Sequence, residues 1–247
     1  MFDLRQFAAI APECYQKLHW HEQLESTNDE AQRLADEGAE HGTVVLAEYQ
    51  TRGRGRRGAG WMCEPGDGLL FSVVLRPQFG KDYYGRIALV AGLGIASVLI
   101  DELAIPARVK WPNDIQINGK KCCGVLVEAN NDCVVLGVGL NVLNAPGDDG
   151  FIAINDVVSE PVSREKILAL VLAAVMREVD QCAEDFSSQL NRIEAISWLN
   201  GKNITFLSAG HQHQGTAEGI AEDGSLIVRT NGGVRQFAQA SDIRCVN

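Results

Sequence analysis

At residues 50–61 the chain reads Gln50-Thr51-Arg52-Gly53-Arg54-Gly55-Arg56-Arg57-Gly58-Ala59-Gly60-Trp61, a stretch called the arginine loop below. It follows an apolar run at residues 44–49, so we expect a loop that leaves the end of a strand. Four arginines crowd residues 52–57 of a chain whose net charge is −10. Glycine lets backbone N–H groups approach a ligand, and arginine supplies fixed positive forks. The pattern suits a phosphate or carboxylate, although a solvated basic turn fits this stretch equally well.

Composition limits the class of protein. A chain of 247 residues with 46% hydrophobic residues can form one large domain, or one large and one small. The richest apolar run, at residues 87–100, is interrupted by glycines, and the N-terminus has no basic region followed by an apolar run. Seven cysteines without a CxxC pair fit a reducing compartment. We therefore predict a cytoplasmic protein without a membrane partner, whose pI near 5.0 argues against a surface that binds DNA.

Upstream of the arginine loop, a polar stretch precedes a predicted helix. Residues 17–24 alternate polar and apolar side chains and are predicted to be a strand. Ser26-Thr27-Asn28 then leads into a helix that Gly38 ends, and Thr27 with Glu30 fits a capping box. The start of a helix beside a strand end also exposes hydroxyl and N–H groups to a polar ligand. The capping role and the ligand role are compatible.

Downstream, the pattern predicts a strand at residues 69–75, a long interior helix at 85–103 and a meander of antiparallel strands. Asn118-Gly119 is a strong hairpin signal between the first two strands of the meander, and a turn at residues 130–132 connects the next two. Lys121 opens a strand of otherwise apolar residues, where its burial is costly without an anionic partner. We therefore predict that Lys121 contacts a ligand, whereas Trp111 is predicted to be a packed aromatic residue.

The last part of the chain changes character. A helix is predicted from Ser163 to about residue 185 and another at about 188–199. Short strands then alternate with turns from residue 202 onward, which is typical of a small β-barrel. We predict a catalytic domain at residues 1–199, with residues 1–16 as an N-terminal extension, and a separate barrel at residues 200–247.

Taken together, five blocks resemble the biotin protein ligase family and occur in the family's order. The blocks are Ser26-Thr27-Asn28; the arginine loop; Lys110-Trp111-Pro112-Asn113-Asp114; Lys121-x-x-Gly124 leading into Leu126-Val127-Glu128; and Gly137-x-Gly139-x-Asn141. The resemblance implies an α+β fold in which a mixed, mostly antiparallel sheet is flanked by helices, as in the catalytic domain of class II aminoacyl-tRNA synthetases. It also implies a C-terminal SH3-like β-barrel.

The resemblance implies a two-step reaction. The carboxylate of biotin attacks the α-phosphate of ATP, and the resulting biotinyl-5'-AMP is held until a lysine of a biotin carboxyl carrier domain takes the acyl group. Lys121 and Arg56 would be the catalytic residues, and Mg²⁺ would arrive with the nucleotide, with no protein ligand assigned. The implied biotin contacts are Ser26, Thr27, Asn28, Gln50, Arg54, Gly55, Arg56, Lys121, Gly124, Gly137 and Gly139. The implied contacts with ATP or the adenylate are Arg54, Arg56, Trp61, Asn113, Asp114, Lys121, Asn141 and Phe151.

Two departures from the family pattern affect the expected function. Position 59 is alanine where many relatives carry another arginine, so we expect the adenylate to be held less tightly. About 25 residues precede Ser26, too few for a helix-turn-helix domain, so we expect a ligase that binds no DNA operator. The sequence leaves open whether the protein is a monomer or a homodimer.

Two other functions compete with this interpretation. A lipoate ligase or octanoyl transferase of the same superfamily also modifies a carrier lysine, although the arginine loop and the Lys110–Asp114 block favour biotin. A protein of another class, a nucleic-acid-binding module, would use the arginine loop and the barrel without catalysis. That function would leave Lys121 and the glycines of the 133–142 strand unexplained.

Overall fold

The structure is a computed structural model that describes residues 1–130, 133–147 and 149–246. The predicted turn at residues 130–132 falls partly outside these ranges. A seven-stranded sheet with six helices forms the large unit, and a five-stranded antiparallel sheet forms the small one. The elements of the large unit are α1 (Leu4–Ile10), α2 (Pro12–Gln16), β1 (Leu18–Leu24), α3 (Thr27–Asp36), β2 (Thr43–Gln50), β3 (Gly68–Leu75), α4 (Tyr84–Leu103), β4 (Ala107–Lys110), β5 (Asp114–Ile117), β6 (Lys120–Asn130), β7 (Cys133–Asn141), α5 (Arg164–Asp180) and α6 (Phe186–Ala195).

The large sheet has the strand order β1-β2-β3-β7-β6-β5-β4. The pair β1 and β2 is parallel and the other pairs are antiparallel, which confirms the predicted mixed, mostly antiparallel sheet. The β5–β6 hairpin turns at Asn118 and Gly119, whose φ angles of 52° and 80° lie in the left-handed region. These are the angles that a two-residue type I′ turn requires, so the hairpin prediction is confirmed.

The two faces of the sheet are covered differently. Helices α4 and α5 pack on one face, where they contact each other and bury the main hydrophobic core. The other face carries α3, which buries Ala31 and Ala35 against Val45, Val74 and Val135. Because side chains alternate along a strand, Gly137 and Gly139 continue the α3 face of β7 beyond the start of that helix. An open, glycine-lined part of the sheet therefore lies next to the N-terminus of α3.

Helix α4 is an interior helix, as predicted. Residues Lys81–Leu103 have the length and the mean hydropathy, 1.6, of a membrane-spanning helix, but 61% of their most apolar window is buried inside the protein. The core helix of a globular protein has the same properties, because it is apolar on most faces.

The small unit consists of β8 (Asn203–Ser208), β9 (His211–Ile220), β10 (Leu226–Thr230), β11 (Gly233–Phe237) and β12 (Ser241–Cys245). Its strand order is β11-β10-β9-β8-β12, in agreement with the predicted small β unit. This unit, called the barrel below, packs directly on the large one. The indole N–H of Trp111 donates to the carbonyl of Gly224 at 2.9 Å, and the backbone N–H of Ile220 donates to Glu194 at 3.1 Å.

Two predictions about helix ends need correction. The N-cap of α3 is Ser26, and Thr27 is the first helical residue, so the predicted capping box between Thr27 and Glu30 is wrong. The polar groups of Thr27 are occupied by the side chain of Gln50 instead. Helix α5 ends at Asp180, about one turn before the predicted end, because a series of turns precedes α6.

Candidate active site

A cavity of about 500 Å³ opens on the α3 face of the sheet. Fourteen of the sixteen residues that sequence analysis assigned to biotin or the nucleotide line it. They are Ser26, Thr27, Asn28, Gln50, Arg54, Gly55, Arg56, Trp61, Asn113, Asp114, Lys121, Gly124, Gly137 and Gly139. Residues that are up to 113 positions apart in the sequence thus meet at one place because four strands and α3 converge there.

The floor of the cavity depends on three glycines. A Cβ atom on Gly137 would lie 2.1 Å from Oδ1 of Asn28, and one on Gly139 would lie 2.3 Å from the indole of Trp61. A Cβ atom on Gly124 would lie 2.9 Å from the same indole. These distances are below any van der Waals contact, so no other residue fits without displacing Asn28 or Trp61. The absent side chains leave the space that Asn28 and Trp61 occupy on the floor of the cavity.

One end of the cavity is a network of polar side chains. The backbone N–H of Thr27 donates to Oε1 of Gln50 at 2.7 Å, and the hydroxyl of Ser72 lies 2.8 Å from that of Thr27 and 2.6 Å from Oδ1 of Asn28. Asn28 in turn donates from Nδ2 to Glu128 at 2.7 Å. Thr27, Asn28 and Ser72 are buried. Fixed donors and acceptors at this end suit a ligand that has both, such as a cyclic urea.

Arg54 is tied to the same end of the cavity. Its Nη2 lies 2.7 Å from Asp29 and 2.9 Å from Glu128, and its Nη1 donates to the hydroxyl of Ser26 at 3.1 Å. The hydrogen bond to Asp29 is the main reason that the pKa of Arg54 is raised above its usual value, and Glu128 adds to it. Arg54 therefore anchors the arginine loop to α3 and β6 and lines the cavity beside the polar network.

Two further arginines anchor the loop at other points. Arg52 forms an ion pair with Glu25, at the end of β1. Arg57 donates to the hydroxyl of Ser241 in the barrel. The loop thus contacts α3, β1 and the barrel through three different side chains.

Arg56 faces the interior of the cavity. Its Nη1 donates to Oδ1 of Asn113 at 3.4 Å, and the amide of Asn113 donates to the carbonyl of Val125 at 2.7 Å, which fixes its orientation. Burial lowers the pKa of Arg56, and the positive charge of Arg57 lowers it further, while Asp114 raises it. A guanidinium that is desolvated and bound to a neutral amide gains from the arrival of an anion.

Lys121 begins β6 beside this group. Its Nζ lies 2.7 Å from Oδ1 of Asp114 and 5.4 Å from the centre of the Trp61 ring. A buried lysine at this position was expected to need an anionic partner, and Asp114 is that partner when no ligand is present. The side chains of Lys121 and Asp114 are 28% and 22% exposed, so the pair remains open to the cavity.

Two predicted nucleotide contacts lie elsewhere. Asn141 is 1% exposed, and its amide donates to the carbonyl of Ile152 at 3.3 Å. Phe151 forms an isolated bridge with Lys121. Neither residue lines the cavity, although both contact the backbone of Lys121, which does. Among the described residues, no three His, Cys, Asp or Glu side chains group closely enough to hold a metal ion.

Part of the site was not predicted from the sequence. Ser72 does not line the cavity but bonds Thr27 and Asn28, which do, and it had a detectable signal as the single polar residue in the apolar run at 69–75. Lys110 and Trp111 lay in a quoted block but were given no ligand role, and both line the cavity. The barrel contributes Ala240, Ser241, Asp242, Ile243 and Arg244 to the opposite wall, and nothing in their sequence pattern predicts this.

Fold and site together define a class of protein, an α+β enzyme with a cationic cleft at the start of α3 and a barrel that completes the cleft. Residues 20–141 match the biotin/lipoate A/B protein ligase family, and residues 200–243 match the biotin protein ligase C-terminal domain. The chain is 32% identical over 234 residues to the biotin--[acetyl-CoA-carboxylase] ligase of Paracoccus denitrificans, covering 89% of this chain and 96% of that protein. It is 31% identical over 237 residues to the bifunctional ligase/repressor BirA of Bacillus subtilis (strain 168), covering 91% of this chain and 73% of that protein.

Solved structures give the same result. The biotin protein ligase of Aquifex aeolicus in complex with biotin and ATP has a TM-score of 0.82 to this chain. The two are 27% identical, and the match covers 93% of this chain and 99% of the other. The chain therefore belongs to the biotin protein ligase family.

Proposed function

We propose that this protein activates biotin with ATP and transfers it to a lysine of a biotin carboxyl carrier domain of the acetyl-CoA carboxylase type. The observation that supports this most directly is the cavity, which places a polar network for a ureido ring at one end and Arg56 and Lys121 at the other. Solved relatives contain biotin and ATP, or biotinyl-5-AMP, and the relative from Paracoccus denitrificans is a biotin--[acetyl-CoA-carboxylase] ligase.

In the first step, a carboxylate oxygen of biotin forms a bond with the α-phosphorus of ATP while the bond to the β-phosphate bridging oxygen breaks. Pyrophosphate leaves with that electron pair, and biotinyl-5'-AMP remains. Two anions must approach each other, so positive groups fixed in advance stabilise the transition state. We assign Lys121 and Arg56 to this role, because both are bonded to partners in the cavity and both are partly buried.

In the second step, the neutral amine of the acceptor lysine attacks the acyl carbon. The bond between that carbon and the AMP oxygen breaks, AMP leaves as an anion, and the amine loses a proton to solvent. Gly124, Gly137 and Gly139 leave the room that the rings and tail of biotin need. Ser26, Thr27, Asn28 and Gln50 are assigned to the ureido head, and Arg54 with Gly55 to the side of the loop that faces it.

The nucleotide end of the cleft is assigned to Arg56, Trp61, Asn113 and Asp114. For Mg²⁺, oxygen ligands would be required, and Asp114 is the carboxylate on this side of the cavity. Its ion pair with Lys121, and the finding that no three His, Cys, Asp or Glu side chains group closely enough to hold a metal among the described residues, fit an ion that arrives on the phosphates rather than a protein-held site. Such an ion would neutralise charge on the phosphate oxygens.

We further propose a domain boundary near residue 200, between the two sheets, and a cytoplasmic location, which suits the seven free cysteines. The function is tested by measuring pyrophosphate release on mixing the protein with Mg-ATP and biotin, followed by transfer of radiolabelled biotin to an apo carrier domain. Release and transfer that require biotin support the proposal. Release with lipoate and none with biotin would move the assignment to a lipoate ligase.

A further inference from the structure

The tip of the arginine loop is fixed by the barrel. The guanidinium of Arg57 donates to the hydroxyl of Ser241, the first residue of β12. The two residues are 184 positions apart, and Ser241 lies in the stretch 240–244 that forms the far wall of the cavity. This contact joins the arginine loop of the large unit to the barrel.

The barrel itself cannot shift freely relative to the large sheet. Trp111 is 2% exposed and its indole is bonded to Gly224, while Glu194 of α6 accepts the backbone N–H of Ile220. Both contacts join the barrel to elements of the large unit, and the lysine that precedes Trp111 lines the cavity. Ser241 is therefore a fixed point from which a loop residue can be held.

The backbone at the tip shows why a fixed point is useful. Arg57 has a φ of 56° and a ψ of 28°, a left-handed conformation that non-glycine residues adopt rarely. The turn around it is closed by two hydrogen bonds, from Gly55 to Ala59 at 2.6 Å and from Ala59 to Arg56 at 3.2 Å. In this conformation neighbouring side chains diverge, with Arg57 directed to the barrel and Arg56 directed to Asn113 in the cavity.

We propose that Arg57 and Ser241 are positioning residues that fasten the arginine loop to the barrel and so keep Arg56 over the bound adenylate. The barrel would thereby control how long the intermediate stays in the cleft. The inference rests on the proposed function only for the identity of the intermediate, since the loop contact itself is independent of the ligand.

The first test uses the ligand-free protein. Trypsin cleaves after arginine, so cleavage within residues 52–57 reports how often the loop leaves its closed position. Ser241→Ala should accelerate this cleavage about tenfold, the order expected for loss of one hydrogen bond to a charged group. Ser241→Thr keeps a hydroxyl and should return the cleavage rate part of the way to that of the wild type. Thr216→Ala is the matched control, because it removes a hydroxyl hydrogen bond, to Asn203 at 2.8 Å, elsewhere in the barrel.

The second test follows the adenylate. Radiolabelled biotinyl-5'-AMP bound to each variant is chased with unlabelled adenylate, and release is compared with single-turnover transfer to the carrier domain. Arg57→Gly removes the same side chain and suits the left-handed backbone. Ser241→Ala and Arg57→Gly should each accelerate release by a similar factor, and the double variant should release no faster than either single one.

The outcomes separate the two proposals. Unchanged tryptic cleavage in Ser241→Ala overturns the fastening of the loop, whatever the enzyme's activity. Faster cleavage with unchanged adenylate release, or additive effects in the double variant, overturns the positioning role. A wild-type protein that neither forms nor binds the adenylate refutes the proposed function and the positioning role with it, while the cleavage assay still decides whether the barrel holds the loop.

Discussion

The charge of Lys121 offers the sharpest test of the proposed first step. In the ligand-free protein its Nζ is held 2.7 Å from Asp114, within the cavity that Arg56 also lines. The change Lys121→Gln removes the charge, keeps most of the side-chain length and retains a hydrogen-bond donor for Asp114. The variant therefore isolates the contribution of charge to the reaction from the contribution of packing.

The size of the effect follows from Coulomb's law. A unit charge 4 Å from an anion is worth about 4 kcal/mol at an effective dielectric constant near 20. One factor of ten in rate corresponds to about 1.36 kcal/mol, so loss of this interaction in the transition state slows adenylate formation by roughly 10³-fold. The estimate applies to the first step, in which negative charge from both substrates meets at the α-phosphate.

The assay is single-turnover pyrophosphate release with saturating Mg-ATP and biotin. Lys120→Gln is the matched control, since it removes the same charge from the neighbouring, exposed residue of β6. We expect a normal rate from Lys120→Gln and a normal melting temperature from both variants. A decrease of less than tenfold in Lys121→Gln, or equal decreases in the two variants, would refute the role assigned to Lys121.

Three further changes test other parts of the structure. Gly139→Ala places a methyl group 2.3 Å from the indole of Trp61, so the ring must move; calorimetry should show weaker biotin binding, by about 1–3 kcal/mol as in other overpacked sites. Ala59→Arg should slow adenylate release about tenfold or more through one added charge-assisted hydrogen bond. Burial raises the pKa of Glu48, but hydrogen bonds from Arg164 and the Phe2 backbone outweigh it and hold the pKa below 4.5. The stabilising effect of the Glu48 charge is thus present above pH 4.5 and lost on acidification, so the melting temperatures of wild type and Glu48→Gln should converge as pH falls.

Each of these variants has a matched control. Gly147→Ala adds a methyl group that, apart from its neighbours in the chain, meets no atom of the described residues within 4 Å, and it should bind biotin normally. Equal affinities of the Gly139 and Gly147 variants would contradict the floor that the structure describes. For Ala59→Arg, release as fast as in wild type would show that the added guanidinium reaches no phosphate. Glu22→Gln changes an exposed residue of β1 and should shift the melting temperature equally little at every pH; a similar curve from Glu48→Gln would rule out the buried ion pair as the cause.

Much of the fold follows from local pattern. The Asn118-Gly119 turn, the continuous apolar runs of β3 and β7 and the interior α4 each have a signal that does not depend on distant residues. The capping box at Thr27 failed for the opposite reason, because the hydroxyl and N–H of that residue are taken by Gln50, which is distant in sequence. Local chemistry predicts which groups are available but not which distant partner occupies them.

The site divides in the same way. Residues from all five quoted blocks line one cavity, yet the sequence does not show that Asp114 pairs with Lys121 or that Glu128 pairs with Arg54. It also cannot place Ser241 against the arginine loop, since that contact depends on how the barrel docks. For Asn141, which the resemblance assigned to the nucleotide, the sequence likewise does not show that its amide donates to the backbone carbonyls of Lys121 and Ile152.

The pairing of the arginines bears on the competing function as a nucleic-acid module. Binding to a phosphate backbone depends on several cations that are free to replace counterions. Here Arg52 and Arg54 are already matched by carboxylates, and Arg57 contacts the barrel. Arg56 instead faces a cavity of about 500 Å³, a space for a small ligand and too small for a duplex. Most of the positive charge of the arginine loop is thus paired within the protein, and Arg56 is directed into the cavity, where we propose that it binds a small anion.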